Sequence, residues 1–147
     1  PLLSLVGHSG GVSALAFAPP TPGSYWTHLP GIGRAVGPRA TLVSVSFDWD
    51  GKLWSQNGQA PFLEPRVILR GHDDRIFALS MAQDGESVMT ASQDGTVRVW
   101  DLETGQERVA LPTGIGPARG LALSPDGTAL LIGGRDQAVL WRAPRDD

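Results

Sequence analysis

A pattern repeated along the chain constrains its fold more than any other feature. It is clearest from Val67 to Glu107, VILRGHDDRIFALSMAQDGESVMTASQDGTVRVWDLETGQE, and it recurs on either side. Within it VIL, IFALSM, SVMTAS and TVRVW are short runs of β-branched and apolar residues, separated by the turn-forming stretches RGHDD, AQDGE and QDG. Four short strands in roughly forty residues follow, each too narrow to bury itself alone. The fixed points are Gly71-His72, Asp84-Gly85, Asp94-Gly95 and Trp100-Asp101. A unit of this kind needs neighbours stacked on it.

Glycine-histidine and tryptophan-aspartate bracketing the strands at these distances resembles the WD-repeat β-propeller family. The resemblance implies an all-β chain of propeller blades, each of four antiparallel strands. It also implies a structural network of His72, Thr90, Asp94 and Trp100, for which the chemistry gives its own reason. A buried His72 must hydrogen-bond through both ring nitrogens. A chain running from the Trp100 indole N–H to the Thr90 hydroxyl, to His72 and to the Asp94 carboxylate satisfies every member. The rival reading is a Ser/Thr-His-Asp catalytic triad, in which the Trp and the turn glycines have no place. No catalytic residue is expected, and the chain is read as not an enzyme.

Three repeats are expected, at about 2–55, 66–101 and 106–142, forming one propeller segment over 1–147. In the first, LLSLV (2–6) precedes Gly7-His8 as Val67 to Leu69 precede Gly71-His72, which makes it an outer strand belonging to a neighbouring blade. VSALAFAP (12–19), TLVSVS (41–46) and GKLW (51–54) are the next three strands, and His8, Ser44, Asp48 and Trp54 supply the same network. Ser44 to Thr90 and Trp54 to Trp100 are each 46 residues, whereas His8 to His72 is 64. The excess is an insertion over 20–39, rich in Pro and Gly and without periodicity, which is expected to be a loop. Its Tyr25 and Trp26 suit contacts with a partner; packing back on the blade is the alternative.

The third repeat is degenerate. Gly114 stands where the His belongs, Ile132 replaces the hydroxyl residue, and Trp141 follows Asp136 by five residues where the other repeats have six. Without an imidazole the network cannot form, so this blade relies on apolar packing, is expected to be the least stable, and leaves Asp136 free.

Composition narrows the function. Apolar residues make up 41% and charged residues 18% of the 147, which fits a globular domain, and 19 Gly with 12 Pro fit many turns and little helix. A formal net charge of −3 supplies no basic field, so neither nucleic acid nor an anionic membrane is an expected partner. No apolar run is long enough to cross a bilayer. The absence of Cys removes disulfides and thiolate metal sites and fits a cytoplasmic location. His28 alone makes no metal site, and the GIG turns at 31–33 and 114–116 open no helix, so neither metal nor cofactor is expected.

In a propeller the loops between outer strand and innermost strand, and between the second and third strands, crowd one rim. The partner-binding residues expected there are Ser13, Phe47, Trp49, Arg75, Phe77, Gln93, Arg119 and Arg135, an Arg-plus-aromatic set of the kind enriched at interfaces. Packing of Phe47 and Phe77 between blades is the alternative. The function these readings imply is a protein-interaction scaffold binding a protein or peptide. The start at Pro1 raises a second possibility, a regulatory or sensor module excised from a longer chain with a seven-bladed propeller. Three blades cannot close a ring. Head-to-tail pairing of two chains, with Leu2 to Val6 of each finishing the third blade of the other, gives six.

Overall fold

The computed structural model describes residues 4–19, 41–55 and 64–143, and all their regular structure is β. The first sheet comprises β1 (Val12–Phe17), β2 (Thr41–Ser46), β3 (Gly51–Ser55) and β4 (Val67–Leu69), hydrogen-bonded in that order. The second repeats the arrangement with β5 (Ile76–Met81), β6 (Ser87–Ser92), β7 (Thr96–Asp101) and β8 (Glu107–Pro112). The third has β9 (Gly120–Leu123), β10 (Ala129–Gly133) and β11 (Ala138–Arg142), three strands among the described residues. Every pairing is antiparallel. These are the blades of a β-propeller, with β1, β5 and β9 adjacent along the inner edge.

The turns follow from the Asp-Gly pairs. At Asp84-Gly85, the Gly85 amide donates to the Ala82 carbonyl at 3.1 Å, while the Asp84 carboxylate accepts the Glu86 amide at 2.8 Å. The side chain thus stands in for backbone the turn leaves unpaired.

Registers make the blades comparable residue by residue. Leu15 pairs with Ser44, Leu79 with Thr90 and Leu121 with Ile132, so these occupy one position in three blades. Likewise Val43 faces Leu53, Met89 faces Val99 and Leu131 faces Leu140. Two apolar clusters fill the two junctions. Val43, Leu53 and Leu69 of the first blade meet Leu79, Met81, Val88, Trp100 and Leu102 of the second. Met89, Ala91, Val97 and Val99 of the second meet Ala118, Leu121, Leu130, Ile132 and Trp141 of the third. Burial between blades, at about 25 cal/mol per Å² of apolar surface, is what stabilises strands this short.

Among the described residues the outer faces of the end blades have no such cover. Leu15 and Phe17 are 62% and 67% exposed, though their counterparts Leu79 and Met81 pack into the first junction. Leu131 and Leu140 are 46% and 49% exposed, where Val43 and Leu53 are fully buried. The expected outer strand at 2–6 is not formed in this single chain over its described part: Ser4 to Val6 pair with nothing, and Val6 is exposed. The insertion at 20–39, with Tyr25 and Trp26, lies outside the described residues.

Candidate functional site

The eight residues expected to form networks meet in two chains of hydrogen bonds. In the second blade Trp100 Nε1 donates to Thr90 Oγ1 at 2.8 Å, Thr90 Oγ1 lies 2.7 Å from His72 Nε2, and His72 Nδ1 lies 2.7 Å from Asp94 Oδ2. An indole can only donate. Thr90 therefore accepts from Trp100 and gives its own proton to His72 Nε2, which assigns the ring proton to Nδ1 and directs it to the carboxylate. In the first blade the matching distances are 2.9 Å for Trp54 to Ser44, 2.8 Å for Ser44 to His8 and 2.8 Å for His8 to Asp48.

This arrangement needs a neutral imidazole and an ionised carboxylate. Burial pushes His72 below its ordinary value, outweighing the attraction of Asp94. For Asp94, burial alone would act upward, but donation from Thr96, His72 and the Asp73 amide wins and holds it at about 2. At Asp48 burial is likewise outweighed by His8 and by the Ser9 and Asp50 amides, and its pKa is lowered.

Each carboxylate ties two loops together. Asp94 Oδ2 accepts the Asp73 amide at 3.1 Å from the loop before β5, and Oδ1 accepts the Thr96 hydroxyl at 2.6 Å and its amide at 2.8 Å. Space for this comes from Gly71, where a Cβ would stand 2.8 Å from Arg98 Nη1 and 3.2 Å from the Trp100 ring. Sequence reasoning missed Thr96, and also Ser46 and Ser92, whose buried hydroxyls accept the Asp48 and Asp94 amides at 3.1 Å. The signal available was a serine two residues before each network aspartate.

On the rim so fixed, Phe47 and Phe77 from adjacent blades meet edge to face, with centroids 5.7 Å apart. The Arg75 guanidinium lies 5.6 Å from the Phe47 centroid, and that of Arg119 lies 5.7 Å from Phe77. One strip, Arg75–Phe47–Phe77–Arg119, thus crosses all three blades. Each contact suits the quadrupole of the ring. Phe47, Arg75 and Arg119 are exposed and Phe77 is half-buried, so the strip combines contact between blades with access to solvent.

The remaining rim residues are placed differently. The Ser13 hydroxyl bonds the Ile76 carbonyl at 2.6 Å and that of Val45 at 3.1 Å, which makes it a tie between the first two blades. Gln93 is half-buried, its amide bonded to the Arg75 carbonyl at 2.8 Å. Arg135 is exposed beside Asp136, 3.9 Å away, and both side chains are at least 80% exposed. Trp49 is half exposed, with a left-handed backbone at φ 74°.

As a catalytic triad the Thr90–His72–Asp94 geometry fails on access. Thr90 is completely buried and its oxygen already serves Trp100 and His72, so no substrate atom reaches it. Ser44 is in the same state. These histidines build the frame.

Repeated antiparallel blades, the first two four-stranded and locked through tryptophan, hydroxyl, histidine and aspartate, define a WD-repeat protein. Residues 63–101 match the WD domain, G-beta repeat, model, and the chain belongs to the WD-repeat β-propeller family, with three repeats of which the third is degenerate. It is similar to human Coronin-7, at 34% identity over 69% of this chain and 11% of the relative. It is also similar to the guanine nucleotide-binding protein subunit beta of Saccharomyces cerevisiae, at 27% identity over 69% of this chain and 24% of the relative. A third relative is the nuclear distribution protein nudF of Aspergillus niger, at 33% identity over 67% and 22%. The chain thus spans about a tenth to a quarter of the length of the curated relatives it matches.

Proposed function

We propose that the chain is a protein-interaction scaffold that binds a protein or peptide through its rim loops. The observation carrying this reading is the Arg75–Phe47–Phe77–Arg119 strip, since aromatic and arginine side chains dominate interface energetics when held in place beforehand. Affinity capture with the intact chain tests it. Proteins retained by the wild type should be lost with Arg75→Ala and Phe77→Ala and kept with Glu86→Ala, which changes an exposed turn away from the rim. Equal retention by all four chains would refute rim binding.

A second reading concerns assembly, and the exposed positions on the end blades favour it. Leu15 and Phe17 on one face, and Leu131 and Leu140 on the other, occupy the positions that are covered at the internal junctions. We infer that two chains join head to tail, each open third blade meeting the other's first, to give six blades without any new element. Further blades of one longer polypeptide are the other way of covering both faces. Mass in solution separates the two.

A further inference from the structure

Trp49 stands against the preference of its own turn. In the second blade the same turn is closed by Gly95, at φ 81°, whose amide donates to the Ser92 carbonyl at 3.2 Å. In the first blade Trp49 takes φ 74° and its amide donates to the Ser46 carbonyl at 3.3 Å, so backbone and hydrogen bond are the same and only the residue differs. A bulky L-residue is disfavoured in this region, where glycine is not. The fold is therefore served better by Gly at position 49, and Trp49 is half exposed, so its side chain adds little to the core. A strained residue with an exposed aromatic side chain, two positions from Phe47 in the same turn, points to a contact made outside the chain.

The neighbouring charges narrow what makes that contact. Arg75 and Arg119 lie against phenyl rings, and among the described residues neither pairs with a carboxylate, although Arg70, Arg98, Arg108 and Arg135 each have an acid within 4.0 Å. A guanidinium held over a ring by cation–π attraction does not spend its N–H donors on that contact and can offer them to a bidentate acceptor. Asp73, Asp74 and Asp136 also sit on these loops and weigh against a uniformly acidic partner. Asp74 already receives the Arg75 amide at 2.7 Å. What fits is local alternation, with apolar side chains on Trp49 and Phe47 and carboxylates at the two arginines.

We propose that Trp49, Phe47, Arg75 and Arg119 form a binding strip for an extended peptide alternating apolar and acidic residues, with Trp49 kept at the expense of turn stability. This rests on the rim-binding reading and adds the partner's chemistry. The test uses the full 147-residue chain and three labelled synthetic peptides of alternating leucine with aspartate, asparagine or lysine, read by fluorescence anisotropy. The aspartate peptide should bind at least about tenfold more tightly than the asparagine peptide, and the lysine peptide weakest. Trp49→Gly should lower affinity for the aspartate peptide about tenfold while raising the melting temperature by a few degrees. Arg75→Ala and Arg119→Ala should each remove most of the aspartate preference. Failure of the aspartate peptide to bind, or equal binding of the asparagine peptide, would overturn the carboxylate assignment. If Phe77→Ala still weakened binding of the asparagine peptide, rim binding itself would stand. Unchanged affinity in Trp49→Gly, or a lower melting temperature, would overturn the role given to Trp49. Indifference of every peptide to every rim substitution would remove the rim reading as well.

Discussion

His72 shows how one side chain sets both stability and its pH dependence. Its ring stands between the Thr90 hydroxyl and an ionised carboxylate, so deleting it leaves the buried Thr90 hydroxyl proton without an acceptor and takes from Asp94 its bond to the imidazole. His72→Ala is expected to cost about 1–3 kcal/mol, read from denaturant unfolding. Asp94→Ala should cost a similar amount, with the rim strip still able to bind in the cold. Loss of binding with no loss of stability in either variant would place these residues in the site instead of the frame. The pH dependence follows from two depressed pKa values. An unfolded histidine gains its proton near 6.5 while folded His72 stays neutral, so the unfolded state binds more protons and stability falls as pH drops below that value. Asp94 adds a second loss, as pH falls from its ordinary 3.8 through its folded value of about 2. Unfolding measured from pH 8 to pH 5 should show the first decline, and His72→Ala should abolish most of it; an undiminished decline in that variant would refute the assignment. Nitrogen-15 NMR should find His72 neutral with its proton on Nδ1 at pH 6.5.

At the scale of the element, the strands and their order were legible in the sequence because each apolar run is bounded by a Gly or Asp-Gly turn. The residues assigned to both networks were legible too, because their chemistry allows few other ways to bury a histidine. Less visible was what depends on contacts between blades. Ser13 reads as a free rim hydroxyl until β5 is seen to place the Ile76 carbonyl 2.6 Å away. The left-handed backbone at Trp49 is hidden because the sequence offers a residue that avoids such geometry. The place of residues 2–6 before Gly7-His8 assigns their strand to a neighbouring blade, and over its described residues it is not formed, because that assignment needs a sheet edge outside its own blade. The third blade extends the comparison. Lacking the histidine and hydroxyl, β9 to β11 are held by the junction with the second blade, chiefly Ile132, Leu121 and Trp141. Amides of β10 should therefore exchange with solvent at least about tenfold faster than those of β6 under native conditions. Equal protection would mean that the networks contribute little to holding a blade.

For the whole molecule, the open faces matter more than any single bond. A blade buries its strands only by lying between two others, and among the described residues the first and third blades each have one. Large apolar residues at matching positions on both faces are the kind of surface that associates. A head-to-tail pair would cover both faces at once, and the two copies of the arginine–phenylalanine strip would then lie on one rim related by the two-fold axis. Light scattering on the purified chain at micromolar concentration measures this directly. Head-to-tail closure predicts a single species of twice the 15.5 kDa chain mass, reverting to one chain mass or aggregating when Leu140→Asp charges the open face. A well-folded species of 15.5 kDa, unaffected by Leu140→Asp, would contradict it.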